Sequence, residues 1–361
     1  MSNIELGLDT FGDVTAEADG SPKHQGQVLR DVIAEAELAD KVGVDFIGLG
    51  EHHRPDFAIS APDVVLATIA ARTERIRLGT AVTVLSSDDP IRVYQRFSTL
   101  DALSNGRAEV ILGRGSFTES FPLFGYSLDD YNRLFEEKLA LFAAIRDADR
   151  AGGPVHWKGT VRSPVEGMRV FPPVERPPLR TWVGVGGSPQ SVVRAARYGF
   201  PLTLAIIGGD PRRFLPFVQL YHQSLAQLGS APLPIGVHSP GHIADTDARA
   251  QAELWPAYQV MRNRIGAERG WGPTSRAEFD HEIEAGSLYV GSPETVARKI
   301  AATVRALGAS RFDLKYSAGT LAHELMLRSI ELYGRKVIPM VRRLLDERSM
   351  VPADGEVAIT R

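Results

Sequence analysis

Apolar positions along the chain follow two periods in alternation. Short apolar runs edged by Gly or polar residues read as buried strands, and longer amphipathic stretches read as helices. A strand is predicted over 4–9, then a polar loop over 11–24. Residues 25–42 place Val28, Leu29, Val32, Ile33, Ala36 and Leu38 at helical spacing, and Gly43 ends that helix. A second strand follows at 46–49 and a helix at 62–73, with Pro62 in its first turn. The pattern continues with a strand over 75–85, a helix over 90–103, a strand over 108–112 and an amphipathic helix over 129–145. Strict alternation of this kind predicts a parallel sheet with helical crossovers.

Residues 149–179 break the rhythm with Gly152, Gly153, Pro154, Pro164, Pro172, Pro173, Pro177 and Pro178. They read as an insertion with a small hairpin over 155–161. The rhythm resumes with strands over 180–185, 201–207 and 234–238 and helices over 189–197, 211–228 and 245–262. A second irregular stretch, 266–286, holds Trp271. A helix over 293–307, a strand over 311–316, a helix over 323–345 and a loose tail over 350–361 complete the chain. Eight strands with intervening helices fit a (β/α)8 TIM barrel forming one domain over 1–361, its two insertions covering the catalytic face. An open doubly wound sheet is the runner-up.

Composition narrows the function. Basic and acidic residues number 41 and 44, for a net charge of −3, so there is no electrostatic footprint for nucleic acid or an acidic membrane. The absence of Cys excludes disulfides, iron–sulfur clusters, thiolate zinc sites and cysteine nucleophiles. No apolar run approaches the ~20 residues that span a bilayer. The N-terminus lacks a basic-then-apolar leader pattern. A cytoplasmic protein is expected.

Three blocks carry candidate chemistry. In Phe46-Ile-Gly-Leu-Gly-Glu-His-His-Arg-Pro-Asp-Phe57 a buried strand delivers Glu51, His52 and His53 into a loop, because Arg54-Pro55 stops the strand. Titratable groups at the C-terminal end of such a strand sit where an α/β barrel keeps its chemistry. Adjacent histidines diverge on extended backbone, and no carboxylate set stands at ligand spacing, so no metal is expected. In Ser104-Asn-Gly-Arg-Ala-Glu-Val-Ile-Leu-Gly-Arg-Gly-Ser116, Arg114 lies between two glycines and offers a planar fork for phosphate. Arg133, one turn into the next helix, can point back at the same place. In Val183-Gly-Val-Gly-Gly-Ser-Pro-Gln-Ser191, Gly186, Gly187, Ser188 and Ser191 surround a helix N-terminus, which is a ready phosphate site. The plain alternatives are a surface Arg in a turn and a capped helix with no ligand. Gly291-Ser-Pro-Glu-Thr295 repeats the capping pattern, and there the plain cap is preferred.

Together these blocks, with Gly79-Thr-Ala-Val-Thr-Val-Leu85, Pro90 and Leu103-Ser-Asn-Gly-Arg107, resemble the bacterial luciferase-like flavin-dependent monooxygenases over about residues 4–345. The resemblance implies a barrel that binds reduced FMN at the C-terminal strand ends and uses O2 to oxygenate a small organic substrate. It implies that Arg114, Arg133, Ser188 and Ser191 hold the FMN phosphate, with Gly186 and Gly187 lending backbone. It makes His52 the active-site base or proton donor, titrating near working pH, with His53 beside it. It places Ala81-Val82, where the family often has a non-prolyl cis peptide, beneath the flavin. It also implies a separate flavin reductase drawing on NAD(P)H, and a homodimer through the helices over 62–73 and 89–103. Two departures argue against light emission: Gly113 stands where luciferases carry Cys, and Gly187 where they carry an acidic residue. A deazaflavin (F420)-dependent oxidoreductase and a flavin binder without turnover are the alternatives. Phe11, Phe57, Phe117 and Trp271 are candidates to line an apolar cavity.

Overall fold

The computed structural model describes residues 4–17 and 19–349; the tail expected over 350–361 lies outside them. Among the described residues, nine parallel strands run around one barrel. They are β1 (Glu5–Thr10), β2 (Phe46–Leu49), β3 (Arg77–Thr80), β4 (Thr83–Val84) and β5 (Glu109–Gly113), then, after a separate antiparallel pair β6 (Val155–Trp157) and β7 (Val165–Met168), β8 (Arg180–Val185), β9 (Leu202–Ala205) and β10 (Ile235–Ile243). A short strand, β11 (Tyr289–Gly291), extends β10, and β12 (Arg311–Lys315) lies between β10 and β1. A bridge from Leu78 to Ala108 and the pairing of β4 with β5 close the ring, so β3 and β4 share one stave. The (β/α)8 expectation holds, and the open-sheet alternative falls.

Helices α1 (Gln25–Lys41), α2 (Pro62–Ala70), α3 (Pro90–Leu103), the single turn α4 (Ser120–Leu123) and α5 (Tyr131–Arg150) cover the first half. Helices α6 (Pro189–Arg197), α7 (Leu215–Gln227), α8 (Asp247–Arg269), α9 (Arg276–Glu284), α10 (Pro293–Leu307), α11 (His323–Leu332) and α12 (Ile338–Ser349) cover the second. Their apolar stripes pack on Leu6, Leu8, Phe312 and Leu314, which point outward from β1 and β12. The side chains between them on the same strands point inward.

The barrel interior is filled in levels. Phe46, Ile111 and Trp182 form an apolar level with Val82 against it. Arg311, fully buried, stacks on Phe46 at 3.6 Å and pairs with Glu109 and Asp313. Glu109 also takes Arg77 and Arg180 at 3.2 Å each.

Four expectations need correction. The strand over 75–85 is interrupted by a cis Ala81–Val82 peptide and ends in a 3₁₀ turn, Leu85–Ser87. The hairpin over 155–161 pairs instead with residues up to Met168. The stretch 266–286 is mostly helical: α8 runs on to Arg269, where Gly270 caps it in the left-handed region, and the capping box of Ser275 and Glu278 starts α9. The helix over 323–345 is split by a π turn, Tyr333–Val337. As expected, Ser292 caps α10.

Candidate active site

A cavity of about 650 Å³ opens at the C-terminal ends of the strands, within the range of small-molecule sites. His52, His53, Ala81, Val82, Arg114, Gly186, Gly187 and Ser188 all line it. Arg133 and Ser191 do not. Arg133 is exposed and pairs with Asp130 at 2.8 Å. Ser191 is buried, and its hydroxyl accepts from Arg194 at 3.3 Å. Of the two insertions, Arg269 and Trp271 reach the cavity. Residues 149–179 contribute nothing to its lining. They run along the outside of α3 and α5, where Gln95 donates to the Phe171 carbonyl and Glu137 accepts from Thr160.

One end of the cavity combines a helix N-terminus with a guanidinium. The first N–H groups of a helix have no partner within it. At α6 the cap residue Ser188 gives its hydroxyl to Gln190 at 2.9 Å, no side chain caps the first turn, and no acid stands there. Gly186 and Gly187 have open space where a Cβ would stand. Arg114, from the loop after β5, lines the same cavity. It donates to Asn132 at 3.1 Å and lies 5.3 Å from the Tyr131 ring. A helix N-terminus beside a guanidinium suits a terminal phosphate.

The middle of the cavity is shaped by Val82. A Cβ at Gly113 would meet Val82 Cγ2 at 2.4 Å, so no larger residue fits at 113 without moving that segment. Glu51 braces it. Its N–H donates to the Val82 carbonyl at 3.1 Å, one carboxylate oxygen accepts from the Val84 N–H at 2.8 Å, and the other pairs with His53 Nε2 at 2.9 Å. His53 is therefore engaged with Glu51, while His52 faces Phe11, Phe57 and Phe117 at ring-centroid distances of 4.6, 4.5 and 5.2 Å.

That cage changes the chemistry of His52. Burial pushes its pKa from 6.5 down to about 3, and the Asp13 charge only partly opposes this. The imidazole is neutral at working pH, and the expectation that it titrates there is corrected: charging it among three phenyl rings is too costly.

Several site residues escaped the sequence reading. His238 Nδ1 meets Asp9 Oδ2 at 2.7 Å, and both line the cavity. Lys315 donates to Asp13 at 2.9 Å and to the Ser317 hydroxyl at 3.1 Å. The signal was present as period-2 alternation in Glu5-Leu-Gly-Leu-Asp9 and Arg311-Phe-Asp-Leu-Lys315, whose polar positions all face the barrel interior. At the mouth, Arg54 joins Asp56 at 3.0 Å, Glu119 at 2.5 Å and Glu268 at 2.5 Å, and covers the Phe117 ring at 4.6 Å. Among the described residues no group of three or more His, Asp or Glu could hold a metal, and no helix is long and apolar enough to cross a membrane.

A parallel barrel with its cavity at the C-terminal strand ends, a helix N-terminus and an arginine at one end of it and a caged histidine after the second stave defines a (β/α)8 barrel with a small-molecule site. The family model described as luciferase-like monooxygenase matches residues 10–311, and the chain belongs to that family. It is 28% identical over 326 residues to 4-hydroxyprotoasukamycin monooxygenase of Streptomyces nodosus subsp. asukaensis, covering 86% of each chain. It is 33% identical over 171 residues to Sinorhizobium fredii y4wF, covering 47% of this chain and 48% of that one. In fold it is similar to monooxygenase RslO1 from Streptomyces bottropensis, with TM-score 0.80, 24% identity and coverage of 93% and 99%. The oxygenating constituent of 3,6-diketocamphane monooxygenase from Pseudomonas putida, solved with FMN, gives 0.74 at 19% identity and 94% and 98% coverage. An F420-dependent secondary alcohol dehydrogenase gives 0.71 at 16% and 95% and 100%.

Proposed function

We propose that the protein is an FMN-dependent monooxygenase that oxygenates a small organic substrate with O2. It takes reduced flavin from a separate reductase that draws on NAD(P)H. The observation that carries this reading is the convergence of Arg114 and the uncapped α6 N-terminus on the cavity that also presents Val82 and His52. When bound, reduced FMN supplies the electrons that activate O2. Arg114, Ser188 and the backbone at Gly186 and Gly187 bind the phosphate. Ala81–Val82, braced by Glu51, supports the flavin ring. Phe11, Phe57 and Phe117 exclude water from the reacting face. His52 serves there as a neutral hydrogen-bonding group. Arg133 and Ser191 support that phosphate site only from outside the cavity lining. We further propose one domain, working in the cytoplasm as a homodimer through α2 and α3, where Val64 and Leu103 leave 63% and 68% of their surface exposed.

The test is equilibrium dialysis of FMN, riboflavin, FAD and F420. FMN binds most tightly, and Arg114→Ala weakens it by ~2–3 kcal/mol while leaving apo stability unchanged, because a charge-assisted fork to phosphate is lost. Equal affinity for riboflavin rules out the phosphate site. Preference for F420 selects the deazaflavin oxidoreductase, whose fold neighbours share this barrel. Tight FMN binding with no O2 uptake selects the flavin binder without turnover.

A further inference from the structure

Two of the three histidines lining the cavity, His52 and His238, pack against one phenyl ring in opposite surroundings. Phe11 lies 4.6 Å from the His52 ring and 6.2 Å from the His238 ring, nearly parallel to the latter at 11°. His52 packs against three phenyl rings, with Asp13, Lys315, Arg54 and His53 as the charged or titratable groups that act on it. His238 has a carboxylate. Asp9 Oδ2 engages Nδ1 at 2.7 Å, which turns Nε2 away from Asp9. His238 lines the cavity, and among the described residues Nε2 has no hydrogen-bond partner. Two further polar atoms on the same floor are also unmatched. Asp9 Oδ1 and Thr203 Oγ1 are fully buried and make no hydrogen bond to the protein, although both residues line the cavity. Those two atoms have no surface open to the cavity, so among these groups Nε2 is the one placed to receive a ligand's polar end.

The charges around His238 come from two strands. Asp9 stands on β1, and Asp313 and Lys315 stand on β12, paired in register beside it. Burial alone would lower the His238 pKa, but the Asp9 charge and hydrogen bond, with Asp313 behind them, raise it against the opposing Lys315. Two titratable groups whose surroundings push them apart divide acid and base roles between them. Burial opposes a proton on His52, whereas the Asp9 carboxylate favours one on His238.

We propose that Asp9 and His238 form the proton-holding pair of this cavity, and that the substrate is a planar, largely apolar molecule with a weakly acidic hydroxyl, a phenol or enol, placed against His238 Nε2. Phe11, Phe57 and Phe117 receive the planar body. His238 Nε2 takes the hydroxyl proton: the O–H bond breaks, an N–H bond forms, and the oxygen's electron pair enriches the adjoining carbons toward an electrophilic oxygen donor. Asp9 is the positioning residue, fixing the tautomer and steadying the imidazolium. An aldehyde or alkane would offer this pair no proton. The inference rests on the monooxygenase reading for what happens to the carbon, but the proton step is testable without flavin.

The probe is 4-nitrophenol, whose anion absorbs visibly, added to the flavin-free protein below the free phenol's ionisation midpoint. The expected result is bound probe ~10-fold richer in phenolate than free probe, since an adjacent cation favours the anion by one pKa unit or more. His238→Gln still binds it but as the neutral phenol, and Asp9→Asn loses most of the phenolate signal while its circular dichroism is unchanged. Equal phenolate fractions in wild type and His238→Gln overturn the proposal, as does failure of wild type to bind the probe. If Asp9→Asn does not fold, the His238→Gln comparison decides alone. Failure of FMN binding leaves this signal intact, so the two readings fail separately.

Discussion

At the scale of single residues, the sequence identified which groups face the cavity better than it identified their protonation. His52, Arg114 and Ser188 are local: each sits at the end of a strand or the start of a helix, and those boundaries are written in Gly, Pro and apolar runs. The pKa of His52 is not local. It is set by Phe11, Phe57 and Phe117, which come from three different loops, and no window of sequence shows them together. The depressed value makes a stability prediction with a definite sign. The ordinary pKa is 6.5 and the folded one about 3, so between them the unfolded chain binds a proton that the folded one refuses. The contribution is fully present above 6.5 and is lost as pH falls toward about 3. His52→Phe keeps the cage aromatic and removes that liability. Its acid-unfolding midpoint, followed by circular dichroism, moves to lower pH, with little change at neutral pH. An unchanged acid limb would mean the His52 ring charges in place.

Element boundaries were legible where capping or turn chemistry marks them, and less so where tertiary contacts decide. Strand 75–85 reads as continuous because Ile76, Leu78, Val82, Val84 and Leu85 run through it with no Pro or polar break; Glu51 bracing of Val82 and Val84, from the neighbouring stave, is what defines the break. The sequence pattern ends α8 short because its last turns carry Arg262, Arg264, Glu268 and Arg269, polar residues that read as loop. They are polar because they close the mouth. Arg54 ties the loop after β2 to Glu119 after β5 and to Glu268 in α8, and Arg264 lies 3.9 Å from Asp56. Arg54 has only 8% of its side chain exposed, but Glu119 and Glu268 keep 33% and 47% of theirs, so solvent screens much of this pairing. Arg54→Ala should leave the global melting temperature within a few degrees but release the last turn of α8. Hydrogen exchange over 264–271 should then rise and FMN dissociate faster. Unchanged protection over that segment would show that α8 is held by its apolar contacts alone.

At the scale of the whole molecule, barrel closure was legible because it follows from alternation of strand and helix, whereas the polar interior was not. Strands that are helix-covered on one face and barrel-filling on the other are read as apolar, and the charges of β12 look like surface residues until the ring closes. Arg311, Asp313 and Lys315 then stack inside it, with Arg311 reaching Glu109 on β5 across the barrel. Replacing one partner of such a buried set leaves the others uncompensated, which typically costs ~3–5 kcal/mol. Arg311→Met should lose about that much in urea unfolding, even though Glu109 keeps Arg77 and Arg180. The loss should also depend on pH. Burial pushes Asp313 from 3.8 up to about 7 although Arg311 pulls it down, so in wild type its contribution falls as pH rises through that value. Without Arg311 the carboxylate form has no close cation, and the penalty should be greater above pH 7 than below it. A destabilisation that is the same on both sides of that pH would mean Asp313 does not depend on Arg311 for its charge, and that closure rests on the apolar level of Phe46, Ile111 and Trp182.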